Sequence, residues 1–224
     1  MDEVFYIPTV VPVFPLPQLV LFPGTLLPLH VFEPRYRALT RDAWAGDRAV
    51  ALAHLRAGYE PLYHTHHAPI YPVLTVARLE QAVRLPEGRY NILVRGLSRA
   101  RVVDESENKA YRLARIELLE TGCKAESERV AELRAELAAA AHENPGLDPS
   151  LRGHWDKLLA TDLDLDPLTD LLAAALPADA DLRQLLLEET DAAERAELLI
   201  RHLRTLAALA SRRHAGDRGG PSLN

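Results

Sequence analysis

Proline is concentrated at the start of the chain, and this distribution limits what the first residues can fold into. A proline inside a helix removes a backbone hydrogen bond and collides with the preceding turn, so closely spaced prolines exclude a long helix. The segments 10–14, 26–32 and 49–55 are rich in branched and aromatic residues, which favour strands. The chain therefore opens with short strands and turns, and its early prolines are Pro8, Pro12, Pro15, Pro17, Pro23, Pro28 and Pro34.

One helix is expected within this extended region. Glu33 is followed by Pro34, and proline suits the first position of a helix because its missing N–H would have no partner there. The helix is expected to carry residues 35–44 and to stop at Gly46.

A regular alternation of apolar and polar residues begins near residue 73 and predicts a hairpin. Residues 73–84 and 90–94 place apolar side chains at every second position, as strands with one solvated face require. Residues 86–88, which contain proline and glycine, are typical of the turn between them. Gly96 is expected to end the returning strand.

Two further strands are expected near residues 100–102 and 114–118, with Arg99 and Arg101 pointing outward. Closely spaced strands without helices between them favour an antiparallel, barrel-like sheet over a parallel one.

Beyond residue 122 the spacing of apolar residues changes to the three-four pattern of helices. Helices are predicted over residues 130–141 and 181–188, and one is expected to be capped by Asp166, to open with Pro167 and to end before Pro177. The sequence thus predicts an α+β fold in which a helical bundle follows the sheet.

The last predicted helix has the most regular apolar stripe in the chain. Asp191 and Glu194 resemble a capping box at its start. The polar, glycine-rich residues 215–224 are expected to form a disordered tail. The stripe is expected to be buried, and it contains Ala192, Ala196, Leu199, Leu203, Leu206 and Ala210.

Composition and charge exclude several classes of function. The net charge is −6, and all of the excess acid lies after residue 120, so a nucleic-acid binder that works through overall positive charge is excluded. The single cysteine, Cys123, cannot form an internal disulfide. No apolar run is long enough to cross a bilayer and the acidic start does not resemble a secretory signal, so no membrane association and a cytoplasmic location are expected.

Motifs for catalysis and cofactor binding are not found in the sequence. No glycine precedes a lysine, which excludes a P-loop, and none of the three lysines has a neighbouring serine that suggests a serine–lysine dyad. No catalytic residue, no cofactor and no enzymatic activity are therefore expected. His64, His66 and His67 are the residues most like metal ligands, but a solvated loop explains them equally well, and no metal site is predicted.

Arginines crowd the predicted hairpin and allow a second interpretation. A sheet face of arginines could grip RNA phosphates or only the carboxylates of the acidic half, and solvated strand faces have the same appearance. Nucleic acid is therefore retained only as an alternative partner, and the face would consist of Arg78, Arg95, Arg99 and Arg101.

Residues 14–39, with the sequence FPLPQLVLFPGTLLPLHVFEPRYRAL, resemble the opening of the N-terminal, substrate-binding domain of Lon proteases. The similarity continues through residues 75–78 and 84–102 and reaches the last helix at 194–206. The form LHVFEPRYR is closer to stand-alone members of the family and to the corresponding domain of cereblon than to full bacterial Lon proteases. The resemblance implies a PUA-like β-barrel domain over residues 1–120 and a helical bundle over residues 121–214.

The resemblance also implies a function. In this family the domain recognises unfolded or damaged polypeptides, so a non-enzymatic polypeptide-binding module is expected, with a separate protease as a further partner. The same residues could instead serve packing, with two aromatic side chains in the core and Glu33 paired to Arg37. The expected contact residues lie in a loop and at the start of the first helix: Phe22, Pro23, Glu33, Arg35, Tyr36 and Arg37.

Overall fold

The computed structural model describes residues 5–217 except 107 and 143, with side chains described as far as 212. The described residues divide into two compact units. The first contains the residues up to Glu120 and also Ala178–Glu188, and the second contains Thr121–Pro177 and the residues from Glu189 onward. Residues 178–188 therefore belong to the first unit, whereas the sequence places them in the helical bundle that begins at residue 121.

The first unit is built on six strands joined into one sheet. The strand order is β2-β5-β4-β3-β1-β6, and β5 also pairs with β6, so the pairings run continuously around β1, β3, β4, β5 and β6. All pairs are antiparallel except β1 with β3. The strands are β1 (Val10–Leu16), β2 (Leu26–Val31), β3 (Ala49–His54), β4 (Val73–Arg84), β5 (Tyr90–Ser106) and β6 (Arg112–Leu118).

Helix α1 (Pro34–Ala45) packs against one face of this sheet. Its buried residues Tyr36 and Leu39 share a hydrophobic core with Val50 and Leu52 of β3. The alternate residues of β3, such as Ala51, belong to a second core on the other face. Strand β3 is therefore buried throughout, which explains why all of its residues except His54 are apolar.

The hairpin of β4 and β5 forms as predicted, but β5 does not stop at Gly96. The carbonyl of Phe22 occupies the position that a Cβ at residue 96 would take, so this glycine permits a close backbone approach instead of ending the strand. The register shifts between Val76 and Ala77, opposite this point. Arg99 and Arg101 share one face of β5 as predicted, but the expected exposure of Arg99 is wrong, because this side chain is 1% exposed.

Helix α5 (Ala180–Glu188) belongs to the first unit because it satisfies polar groups of the sheet. The side chain of Gln184 donates a hydrogen bond to the carbonyl of Val73 at 2.9 Å. The guanidinium of Arg99 donates to the carbonyl of Leu187 at 2.7 Å. Buried groups of both elements thus depend on each other.

The second unit contains helices α2 (Ser127–His142), α3 (Pro149–Leu159), α4 (Leu165–Ala175) and α6 (Ala192–Asp217). The predicted stripe of α6 is buried from Ala192 to Leu203, whereas Leu206 and Ala210 are half-buried. No described helix has both the length and the apolar character needed to cross a membrane.

Three details at the helix ends differ from the sequence prediction. Helix α4 begins at Leu165 with Asp164 at the cap, so Asp166 lies in its first turn and is not the cap. Asp191 does cap α6 by accepting a hydrogen bond from the N–H of Ala193 at 3.0 Å, but its own N–H donates to Glu189 and not to Glu194. Helix α6 continues to Asp217, past the expected start of the tail, and residues 218–224 of that tail lie outside the described residues.

Candidate functional site

The loop before β2 was expected to present an aromatic residue to a ligand, and the structure places this residue in the core. Phe22 is fully buried, and its carbonyl accepts a hydrogen bond from the hydroxyl of Thr25 at 2.7 Å. The N–H of Gly24 donates to the carbonyl of Gly96 at 2.9 Å, which fastens the loop to β5. The contact expected of Phe22 is corrected to a packing role, and Pro23 beside it is half-buried.

The start of α1 holds a polar network that fixes the loop between β3 and β4. The guanidinium of Arg35 lies 3.0 Å from the carboxylate of Glu33 and donates a hydrogen bond to the carbonyl of Tyr63 at 2.7 Å. The hydroxyl of Tyr63 donates to Glu33 at 3.0 Å. Burial, together with this carboxylate, raises the pKa of Tyr63 above its usual value. Glu33 and Arg35 therefore have structural partners already.

The two neighbouring candidates on α1 have different environments. Tyr36 is 4% exposed and its ring lies 4.1 Å from that of Phe14, so the contact expected of it is also corrected to a packing role. Burial raises the pKa of its hydroxyl far above the usual value. Arg37 is half-buried and points toward Gly88. The alternative ion pair between Glu33 and Arg37 is not formed among the described residues, because Glu33 pairs with Arg35.

The four arginines proposed as a nucleic-acid face do not form one surface. Arg99 is buried, and Arg95 pairs with Glu80 at 2.8 Å. Arg78 is half-buried and its guanidinium lies over the ring of Phe5 at 5.2 Å. Among the described residues, Arg101 is the only one of the four that is exposed and makes no such contact. This distribution does not favour the nucleic-acid alternative.

The histidine loop was the other candidate for chemistry. His64 lies 3.9 Å from the carboxylate of Glu33, and the loop lines a small polar cavity through His66 and His67. Across the described part of the chain, no three side chains of His, Cys, Asp or Glu come together in a group that could hold a metal ion.

A surface that was not predicted lies on the face of β2, β5 and β4 turned away from α1. Directly paired residues of neighbouring strands share a face. Leu26 pairs with Arg95, Pro28 with Leu93 and His30 with Asn91, and β4 extends these rows. We call this surface the open face, and its side chains are Leu26, Pro28, His30, Asn91, Leu93, Arg95, Gln81, Val83 and, just beyond β2, Phe32.

The open face exposes large apolar side chains. Phe32 is 62% exposed, Val83 55% and Leu26 48%. The ring of Phe32 stacks on that of His30 with 6.3 Å between centroids, and His30 is held by Asn91 at 2.7 Å. Apolar groups rimmed by polar ones are typical of surfaces that bind other macromolecules. The sequence signal for this face is the nearly continuous apolar run of residues 26–32, which places apolar side chains on both faces of β2.

Strand β2 lies at the edge of the sheet, and the row of backbone N–H donors along its free edge is interrupted. The carbonyl of Thr25 accepts a hydrogen bond from Gly96 at 2.9 Å, so odd-numbered residues of β2 direct their backbone groups toward β5. The even-numbered Leu26, Pro28 and His30 direct theirs outward. Because proline has no N–H, the centre of the free edge cannot donate a hydrogen bond.

These features define an α+β protein whose sheet has an exposed apolar face. Residues 10–205 match the family model of the ATP-dependent protease La (LON) substrate-binding domain. The chain belongs to this family.

Relatives and solved structures agree with this assignment. The chain is 32% identical over 194 residues to Lon protease 2 of Myxococcus xanthus, and 30% identical over 194 residues to the Lon protease of Anaeromyxobacter dehalogenans. Each match covers 87% of this chain and 23% of the relative, so the chain spans about a quarter of these proteins.

Two solved structures share the fold. The N-terminal domain of the Mycobacterium avium complex Lon protease superposes with a TM-score of 0.66 at 20% identity and covers 87% of this chain and 98% of that one. A Lon N-terminal domain protein from Xanthomonas campestris gives a TM-score of 0.62 at 24% identity, with the same coverage.

Proposed function

We propose that this chain is a substrate-binding module that holds unfolded or damaged polypeptides on the open face. The observation that supports the proposal most is the exposure of Phe32, Val83 and Leu26 on one side of a sheet whose other side is packed against α1. Unfolded chains expose apolar side chains, and burying them against such a surface is favourable in proportion to the area removed from water. Membership of the substrate-binding family supports the same function.

The polar groups of the open face would orient a bound chain. Arg95 and Glu80 form an ion pair at 2.8 Å beside Leu26, and they could exchange partners with charges on the polypeptide. His30 and Asn91 supply a donor and an acceptor near Phe32. Polar contacts of this kind select position more than they add affinity, so the module would tolerate many sequences.

We infer that binding uses side chains over the face and not addition of a strand to β2. Strand addition depends on a row of backbone donors and acceptors along a free edge. Pro28 removes the central donor of this edge, which also protects the protein from pairing with another copy.

The chain is proposed to bind without cutting. The matching family model is that of the substrate-binding domain, and cleavage of the bound polypeptide would fall to a separate protease. Of the contact residues expected from the sequence, Pro23, Glu33, Arg35 and Arg37 are still proposed to contact the polypeptide. Pro23 lies in the loop fastened to β5, and Glu33 and Arg35 belong to the polar network at the start of α1.

Binding of a reduced, carboxymethylated protein, followed by fluorescence anisotropy, tests the proposal. The variant Leu26→Ser/Val83→Ser should weaken binding about tenfold or more, since two apolar anchors are removed. The control Val103→Ser/Leu118→Ser removes side chains that are 47% and 48% exposed elsewhere on the sheet, and it should bind like the parent. Equal affinities for both variants, or no binding by the parent, would contradict the proposal.

A further inference from the structure

A second feature of the first unit lies outside the open face. A cavity of about 330 Å³ lies between α1 and the tip of the β4–β5 hairpin. Three of its lining residues are arginines. The complete lining is Pro34, Arg37, Ala38, Arg41, Arg84, Gly88 and Tyr90.

The local structure explains why these arginines converge. Residues three or four apart on a helix share a face, so α1 directs Arg37 and Arg41 to the same side. Arg84 pairs with Tyr90 at the last rung of the hairpin, directly before its turn. Both elements therefore present guanidinium groups to one space.

The turn of the hairpin is shaped to admit one of these groups. Glu87 and Gly88 have φ values of 62° and 73°, and a Cβ at residue 88 would collide with the guanidinium of Arg37. Glycine thus serves two purposes here, since it adopts the left-handed conformation and leaves room for Arg37.

The positive charges of the cavity are poorly compensated. Arg37 and Arg84 have no side-chain hydrogen bond or ion pair among the described residues, and no described carboxylate lines the cavity. Arg41 donates two hydrogen bonds to Asp42, at 3.1 and 3.2 Å, and its side chain is 68% exposed. Guanidinium groups present paired donors that match the oxygens of carboxylates and phosphates. Like charges gathered in one cavity repel each other, and an anion between them would remove that repulsion.

We propose that this cavity binds a small ligand that carries two or more carboxylate or phosphate groups. A single oxyanion would leave much of a cavity of about 330 Å³ empty. Tyr90 also lines the cavity and would offer an apolar surface to the body of the ligand. Citrate and pyrophosphate represent the two forms of this chemistry.

The site is independent of the open face. Arg84 and Tyr90 form the rung next to the one that contains Val83, and their side chains point to the opposite face of the sheet. Occupation of the cavity therefore does not require a bound polypeptide, and the two proposals can fail separately.

Calorimetric titration of the intact chain with citrate and with pyrophosphate tests the inference. The parent should bind at least one of them, and which one it binds tells whether carboxylates or phosphates are preferred. Arg37→Gln/Arg84→Gln should lose about tenfold or more in affinity, because hydrogen bonds to charged groups are the strong ones.

A matched control and a milder variant make the result decisive. Arg101→Gln/Arg115→Gln removes the same charge from exposed positions outside the cavity and should bind like the parent. Arg84→Gln alone changes an exposed side chain and keeps the test available if the double variant does not fold. Failure of the parent to bind either anion, or equal losses in the cavity and control variants, would overturn the proposal.

Discussion

The guanidinium of Arg195 lies 3.2 Å from the carboxylate of Asp170, and both side chains are buried. Arg195 also contacts the carboxylate of Asp166 and donates hydrogen bonds to the hydroxyl of Thr169 at 3.0 Å and to the carbonyl of Glu189 at 2.7 Å. This network fastens α6 to the first half of α4. A buried ion pair of this kind is stable only when its remaining donors and acceptors are satisfied, as they are here.

Removing one partner of this pair should destabilise the second unit strongly. Arg195→Met leaves the Asp170 carboxylate buried without its counter-ion, and we expect the free energy of unfolding to fall by about 3–5 kcal/mol. Arg195→Met/Asp170→Leu removes both charges and should recover a large part of that loss. Urea denaturation followed by circular dichroism measures both variants. A double variant no more stable than the single one would show that the isolated carboxylate is not the cause.

The close approach at Gly96 predicts sensitivity to a single methyl group. Gly96→Ala places a Cβ against the carbonyl of Phe22, a backbone atom that cannot move aside as a flexible side chain would. We expect a loss of about 1–3 kcal/mol, as for other overpacked sites. Gly122→Ala is the control, because nothing lies within 4 Å of its Cβ position. A thermal melt of both variants gives the comparison, and equal melting temperatures would contradict this account of Gly96.

Two arginines two residues apart on β5 should behave differently. Arg99→Gln removes a charged donor from the buried carbonyl of Leu187, and we expect the free energy of unfolding to fall by about 1.5–3 kcal/mol. Arg101→Gln changes an exposed side chain and should lie within about 0.5 kcal/mol of the parent. The midpoint of urea unfolding measures both. Similar midpoints would mean that the hydrogen bond to α5 contributes little.

The burial of Arg99 also shows where sequence reasoning reached its limit. Local spacing predicted the hairpin and the helices α1, α2, α4, α5 and α6, but helix α3 was not predicted. Arg99 alternates with Ala100 and lies on the same strand face as Arg101, but α5 covers it, and its guanidinium donates to the carbonyl of Leu187. This contact joins residues 88 positions apart in the chain, and a local pattern carries no information about it.

The candidate site was predictable only in part, for a related reason. A family motif records both packing and contact residues, and Phe22 and Tyr36 belong to the first kind. The open face could have been found from the apolar residues on both faces of β2, but only once α1 had been placed on one of them. The arginine cavity required the helix and the hairpin tip to be brought together, which the sequence does not show.

The network at the start of α1 should control the mobility of the loop that contains Tyr63. Glu33→Gln weakens the ion pair with Arg35 and the hydrogen bond from Tyr63, so the loop should detach more often. We expect faster amide exchange in residues 56–70 with little change in the global stability, since partly exposed polar contacts contribute modestly. Hydrogen exchange read by mass spectrometry resolves this segment. Exchange at the parent's rate would show that other contacts hold the loop.

His54 should make the first unit less stable as the pH falls. The side chain is 5% exposed, stacks on Tyr71 with 5.0 Å between centroids, and leaves Nδ1 without a hydrogen bond in the described part of the chain. Burial lowers the pKa of His54 below its ordinary value of 6.5, and the carboxylate of Asp181 offsets this only in part.

The unfolded chain therefore binds a proton at this histidine at a pH where the folded chain does not. The contribution of neutral His54 to the free energy of unfolding is fully present above about pH 7. Below pH 6.5 it declines by at most about 1.4 kcal/mol per pH unit, until the pH reaches the pKa of His54 in the folded protein. His54→Phe keeps an aromatic ring against Tyr71 and removes the titration. Urea unfolding of parent and variant at several pH values isolates this contribution from that of the carboxylates. The difference in free energy between the two proteins should change in favour of the variant as the pH falls, and a difference that stays constant would show that His54 is protonated equally in the folded and unfolded states.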